Sequence, residues 1–225
     1  MDASQGPLTA KAVETRGQIL TAALDLFASK GYRATTMRDI AQAAGVSLGL
    51  AYRYFSSKED LLIAFYERCA VDLRSEIDEL PRSSSAQRYT SVLRKVMLRL
   101  TPYRESFAEM GGVYLNPRDD VGVLSDKLAP IRAEGCGLFK RVLAGASDAA
   151  PARTLDDLAT LAYAGYFMLL LFWVNDTTDD QAATEKLLLF VEDMISRFRL
   201  LLRIHIFVRY CNRLADIIRP MFIGK

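Results

Sequence analysis

Thr35–Leu61 reads TTMRDIAQAAGVSLGLAYRYFSSKEDL. Its punctuation divides it into three parts. Thr36 can cap a helix, with Asp39 three residues on as the capping-box partner, and Gly45 ends that helix. A second, short helix is expected from about Ser47 to Phe55. Ser56 or Ser57, with Glu59 or Asp60 three residues on, starts a third that runs toward Leu80. Pro81 and the RSSSA after it break that helix. Helix, glycine turn and short helix are helix-turn-helix anatomy. Ala41 is small enough to let the second helix cross closely, and Gly45 can take the left-handed conformation the turn needs. Ile40 and Val46 face inward and lock the pair. In such a unit the second helix enters the major groove, and its N-terminal side chains meet base edges.

The segment upstream agrees. From Leu8 to Lys30, apolar Ile19, Leu20, Ala23, Leu24 and Phe27 share one helical face, and Gly31 follows as a stop. The three helices together read ILTAALDLFASKGYRATTMRDIAQAAGVSLGLAYRYFSSKEDLLIAFYER over residues 19–68. This resembles the N-terminal DNA-binding domain of the TetR family of bacterial transcriptional regulators. The likeness rests on a helix ending in LF and GY, on TT-x-RDIA-x-AAGVS, and on Y-x-YF-x-SKE-x-L. It covers roughly residues 13–67, under a third of the chain.

The resemblance implies an all-α homodimer with a variable ligand-binding domain, in which a small molecule releases a repressor from a palindromic operator. It assigns residues 1–60 to the helix-turn-helix domain and 61–225 to effector binding and dimerisation. It makes Thr36 a phosphate contact, supported by the helix N-terminal amides there. It places Leu48, Gly49, Leu50, Tyr52, Arg53 and Tyr54 on the recognition helix and makes Lys58 a backbone contact. Two positions depart from the family pattern. Leu48 and Leu50 stand where relatives carry polar residues, and leucines can only pack on thymine methyl groups. Arg53 is then the candidate for a bidentate guanine contact. Phe55 reads as core, while Tyr52 and Tyr54 divide between contact and burial. Lys11 and Arg16 read either as an arm reaching a minor groove or as a solvated segment.

The remainder is helical by pattern, at about 86–100, 103–110, 121–145, 154–175 and 181–218. Pro130 suits a first turn, and TLDD at 154–157 reads as a capping box. Leu158–Asn175 is uncharged over about the minimum length of a membrane span. Aspartates flank it and no basic anchor follows, so a helix buried all round is expected rather than a span. Two aromatic stripes stand out, Tyr103, Phe107 and Met110 in one and Tyr163, Tyr166, Phe167 and Trp173 in the other. Plain core explains such stripes. The resemblance adds an apolar effector pocket as the reading of Tyr103, Phe107, Met110, Tyr163, Phe167 and Trp173. It also implies a homodimer through helices at about 154–175 and 181–203, and Leu187, Phe190, Val191, Met194, Ile195 and Phe198 give the latter an apolar face.

Chemistry in the sense of catalysis is not expected. His205 is the single histidine, so no Ser–His or Cys–His pair exists elsewhere. The acidic pairs at 119–120, 156–157 and 179–180 sit at loops or helix starts, where acids favour the dipole, so no metal site or cofactor is expected. Three distant cysteines, Cys69, Cys136 and Cys211, suggest neither a disulfide framework nor zinc and point to a reducing cytoplasm. The N-terminus lacks the apolar run of a signal peptide. Charge is uneven: residues 1–60 carry seven Lys/Arg and six Asp/Glu, residues 61–194 fifteen and twenty, and residues 195–225 seven and one. The basic, apolar end, RFRLLLRIHIFVRYCNRLADIIRPMFIGK, reads either as an extension of the dimer seam or as an amphipathic helix on a membrane. The competing functions are a DNA-binding adaptor or activator without an effector, and an enzyme with a DNA-binding appendage.

Overall fold

The structure is a computed structural model that describes residues 9–109, 122 and 124–223. Ten α-helices occur among these residues, with no strand: α1 (Ala10–Lys30), α2 (Met37–Ala43), α3 (Leu48–Tyr54), α4 (Lys58–Asp78), α5 (Ser85–Leu100), α6 (Arg104–Glu109), α7 (Ala129–Ala144), α8 (Ala152–Asn175), α9 (Ala182–Phe198) and α10 (His205–Ile223). The chain divides into two compact units. One holds Met1–Tyr66 with Pro102–Gly112, the other Glu67–Thr101 with Val113–Lys225.

In the first unit α1 buries the face expected of it, Ile19, Leu20, Ala23, Leu24 and Phe27. Ile40 of α2, Ala51 of α3, Phe55 and Leu61 complete that core. α6 returns to the same unit: the Ser106 hydroxyl donates to the Phe27 carbonyl at 2.5 Å, and the Tyr103 and Phe65 rings meet edge-on with centroids 5.0 Å apart.

The second unit is built around α8. α7 approaches it so closely that a methyl group on Gly135 would overlap the Tyr163 ring. The absence of a side chain at Gly135 is what permits the contact. α10 lies along α8 and α7, with Arg219 paired to Asp157. α9 packs on α5, through Arg94–Glu185 at 2.7 Å and a hydrogen bond from the Thr90 hydroxyl to Glu192 at 2.8 Å.

Three expectations are corrected here. The helix expected over 181–218 is two helices, separated by a 3-10 turn at Arg199–Arg203 and an extended Ile204. The break lets α10 fold back onto α8, and neither Gly nor Pro marks it. TLDD is not a capping box: α8 begins at Ala152, and the Thr154 hydroxyl donates back to Pro151 O inside the first turn. Finally, α8 is not buried all round. It is long and apolar enough to cross a membrane by length and composition, yet Met168, Leu171 and Phe172 are exposed while Thr160, Tyr163 and Trp173 are buried. The Asp119–Asp120 pair and Met110 lie outside the described residues.

Candidate DNA-binding surface and effector site

The helix-turn-helix is assembled by local hydrogen bonds. Thr36 accepts from the Asp39 amide at 3.2 Å, and the Asp39 carboxylate accepts from the Thr36 amide at 2.9 Å, a complete capping box. Gly45, with φ of +66°, makes the left-handed turn, and the Val46 amide donates to Ala41 O at 3.0 Å. Ser47 then caps α3, accepting from the Leu50 amide at 3.2 Å. Ala51 is fully buried, and the Phe55 amide closes the helix on Ala51 O at 3.0 Å. Ala51 is thus the one fully buried residue of this seven-residue helix, and its neighbours are half-buried or exposed.

That outward face carries the expected residues. Gly49, Tyr52 and Arg53 are exposed, with Tyr52 at 49% of its full surface, and Leu48, Leu50 and Tyr54 are half-buried. Thr36 is exposed, but its hydroxyl already donates to Asp39 at 2.8 Å. Lys58 is turned inward: its ammonium donates to Tyr32 O at 2.8 Å and lies 4.3 Å from the Tyr32 ring centroid. Burial lowers its pKa. Lys11 and Arg16 belong to α1 itself, and the Arg16 guanidinium sits 4.8 Å over the Phe55 ring.

Asp39 ties this surface to pH. The Lys30 ammonium at 2.8 Å, then the Thr36 amide and hydroxyl, hold its carboxyl at about 2, below its ordinary 3.8. The folded carboxyl titrates lower than the unfolded one, so its contribution is fully present above pH 3.8 and disappears as pH falls through about 2. Thermal melts between pH 5 and about 2 are expected to show wild type losing stability relative to Asp39→Asn. Parallel curves would remove Asp39 from the account.

The residues expected at an effector pocket are described within each unit by itself. Tyr103 and Phe107 belong to the first unit, where Phe107 stacks on Tyr66 with centroids 6.4 Å apart. Tyr163 and Phe167 belong to the second, in a cluster of rings with Phe139, Tyr166 and Phe222. Trp173 is buried elsewhere on α8, donating to Gln181 Oε1 at 2.5 Å. Met110 lies outside the described residues. A separate cavity of about 580 Å³ opens between α8 and α9. Leu161, Met168 and Phe172 line one wall. The other wall is the α9 face expected to pair with a second subunit, all of it except Phe190. Asp148 and Arg199, also in the lining, form an ion pair at 3.1 Å. Sequence reasoning missed Arg132 and Phe222, which meet beside the ring cluster; they are 90 residues apart, and no local pattern joins them.

The three cysteines are unpaired. Burial pushes the Cys69 and Cys136 thiols up to about 11, away from the thiolate a nucleophile needs.

The family model described as bacterial regulatory proteins, tetR family, matches residues 19–65. The HTH-type transcriptional activator FasR of Mycolicibacterium smegmatis is 40% identical over 75 residues, 33% of this chain and 34% of FasR. The HTH-type transcriptional repressor KstR2 of Mycobacterium tuberculosis is 49% identical over 47 residues, 21% of this chain and 24% of its own. The HTH-type transcriptional regulator TtgR of Pseudomonas putida is 36% identical over 93 residues, 40% of this chain and 42% of TtgR. The chain therefore spans between 24% and 42% of the length of these relatives. Solved structures extend the likeness in fold. Thermus thermophilus FadR, a TetR-family transcriptional repressor in complex with lauroyl-CoA, superposes with a TM-score of 0.59 at 22% identity, covering 79% of this chain and 92% of FadR. A TetR transcriptional regulator from Nitrosomonas europaea gives 0.57 at 21% identity, covering 81% and 98%.

Proposed function

The N-terminal domain makes this chain a member of the TetR family of bacterial regulatory proteins, and on that premise we propose that it represses transcription in the cytoplasm from a palindromic operator and releases it when a small, largely apolar effector binds. The observation that carries the reading is α3. A capped helix anchored by one fully buried alanine leaves Gly49, Tyr52 and Arg53 outward at its solvent face, the arrangement that a major groove accepts. Residues 1–60 read DNA, and 61–225 hold the effector and the dimer contact. Phosphate contacts from Thr36 and Lys58 set position, and base contacts set sequence preference. For Lys58 this requires the ammonium to leave the Tyr32 carbonyl when DNA arrives.

A homodimer is the matching assembly, since a two-fold protein reads a two-fold site. The α8–α9 face is the proposed seam. Met168, Phe172, Phe190 and Phe198 are exposed there, and a second copy would cover them. The complex of FadR with lauroyl-CoA supports an effector with a large apolar part.

Selection of bound DNA from a random pool tests the reading, with enrichment of one palindrome as the expected result. Failure to enrich any palindrome would overturn it. On the selected site, Arg53→Ala is expected to weaken binding about 10- to 100-fold, the range of one lost bidentate base contact. Random-sequence DNA should lose much less. Equal loss on both would make Arg53 a phosphate contact.

A further inference from the structure

The last turn of α10 places an aromatic ring and an oxygen where a ligand's would fit. The Phe222 ring stacks on Phe167, with centroids 5.7 Å apart and planes at 17°, and meets Tyr163 edge-on at 5.6 Å. Its carbonyl oxygen accepts from Arg132 Nε at 3.0 Å. Arg132 is 3% exposed and also donates from Nη1 to Ser125 O at 2.6 Å. Burial lowers its pKa, but a guanidinium stays charged at neutral pH. The floor of the box is fixed by the close approach of Gly135 to the Tyr163 ring.

The turn that fills this box is weakly held by its own helix. Pro220 lies inside α10. Its nitrogen carries no hydrogen, so the bond to the carbonyl four residues back is missing, and its ring strains that turn. Helix α10 is anchored further back, by Arg219 on Asp157 and by Ala215, which is fully buried. The final turn can therefore lift without undocking the helix.

We propose that Phe222 is a tethered stand-in for a ligand, and that the site formed by Tyr163, Phe167 and Arg132 binds a 3-arylpropanoate, which displaces the last turn of α10. The spacing selects this class. In a phenylalanine residue two carbons separate the ring from the carbonyl carbon, as they do in 3-phenylpropanoate. A carboxylate in place of the carbonyl adds a charge to a hydrogen bond with a guanidinium, which shortens and strengthens it, while the ring keeps its stacking partners. The ligand must compete with the tethered ring, so its apparent affinity is reduced by the fraction of time the turn is closed. The inference rests on the effector reading above only for its consequence at DNA; occupancy of the site stands apart from it.

The test is isothermal titration of the full chain with 3-phenylpropanoate, hexanoate and 3-phenylpropan-1-ol. Wild type is expected to bind the aryl acid weakly, and Phe222→Ala at least about 10-fold more tightly. The chain acid and the alcohol should bind more weakly to both. Arg132→Met, checked for folding by circular dichroism, should lose the preference for acid over alcohol. An unchanged affinity in Phe222→Ala would overturn the proposal, as would equal binding of acid and alcohol, and neither comparison depends on the Arg132 variant folding. DNA release is read separately: binding without release keeps the site and removes its effector role, whereas release by an unrelated apolar compound with no binding here does the reverse.

Discussion

Arg88→Leu is expected to destabilise the second unit by about 3–5 kcal/mol, because four carbonyl oxygens lose one shared donor. Arg88 extends from α5 and is 5% exposed. Its Nε donates to Val142 O at 2.8 Å, Nη1 to Leu80 O at 3.0 Å and to Pro81 O at 2.9 Å, and Nη2 to Ile77 O at 3.5 Å. Ile77 lies in the last turn of α4 and Leu80 two residues beyond it, and Val142 lies in the last turn of α7. The last carbonyls of a helix have no partner within it and carry the negative end of its dipole. One guanidinium thus caps two helices at once, with a charge of the right sign. Leucine matches the apolar part of the side chain but supplies no donor. Lysine restores the charge without the planar fork, so Arg88→Lys should fall between the two. Denaturation by urea, followed through the fluorescence of Trp173, the single tryptophan, measures the effect. The midpoint should drop with the slope unchanged. A loss under about 1 kcal/mol would mean that water replaces the donor, and the capping role would be wrong.

Arg88 also marks where sequence reading stops. The helix-turn-helix is legible because its determinants are close in the chain. Thr36 and Asp39 are three apart, Gly45 ends α2, and Ser47 caps α3 within two residues of the turn. Local hydrogen bonds select those residue types, so a local pattern reveals them. The outward set on α3 follows from the same period, and the structure leaves Gly49, Tyr52 and Arg53 exposed. In the second unit the deciding contacts join distant positions. Arg88 reaches Val142, and Arg132 reaches Phe222. An arginine read locally is a solvated charge, and only the crossing of helices turns it into a buried cap. The break at 199–204 has the same character. Arg-Leu-Leu-Leu-Arg-Ile is good helical sequence, and the packing of α10 against α8 overrides that propensity. Return of the 102–109 segment to the first unit is a long-range event too, and no local pattern around Tyr103 and Phe107 announces it.

Trp173→Ala is expected to lose about 3–5 kcal/mol, the range for truncating a large buried aromatic side chain. Trp173 is 1% exposed, and its indole N–H donates to Gln181 Oε1 at 2.5 Å. That partner is unusual. Asp180 and Gln181 both have left-handed backbones, with φ of 51° and 56°, a conformation costing roughly 1–2 kcal/mol per residue without glycine. The turn from α8 to α9 is over-determined to hold it. Asp176 accepts from the amide and hydroxyl of Thr178, at 3.0 and 2.6 Å, and from the amide and hydroxyl of Thr184, at 2.8 and 2.6 Å. These bonds hold its carboxyl well below the usual carboxylate range. The indole closes the turn from the α8 side. Alanine would remove both the packing and the hydrogen bond, whereas phenylalanine would keep most of the packing, so Trp173→Phe should cost only about 1 kcal/mol. Far-UV circular dichroism during urea denaturation is the readout, since neither variant retains the fluorophore. Because this turn sets the angle between α8 and α9, whose shared face is the proposed dimer seam, the alanine variant should also show a larger monomer fraction by sedimentation at equal protein concentration. If the alanine and phenylalanine variants match in stability, the bulk of the indole is not what holds the turn. If the alanine variant is destabilised but dimerises as wild type does, the angle between α8 and α9 is fixed by Asp176 and its threonines, and Trp173 contributes only to the core.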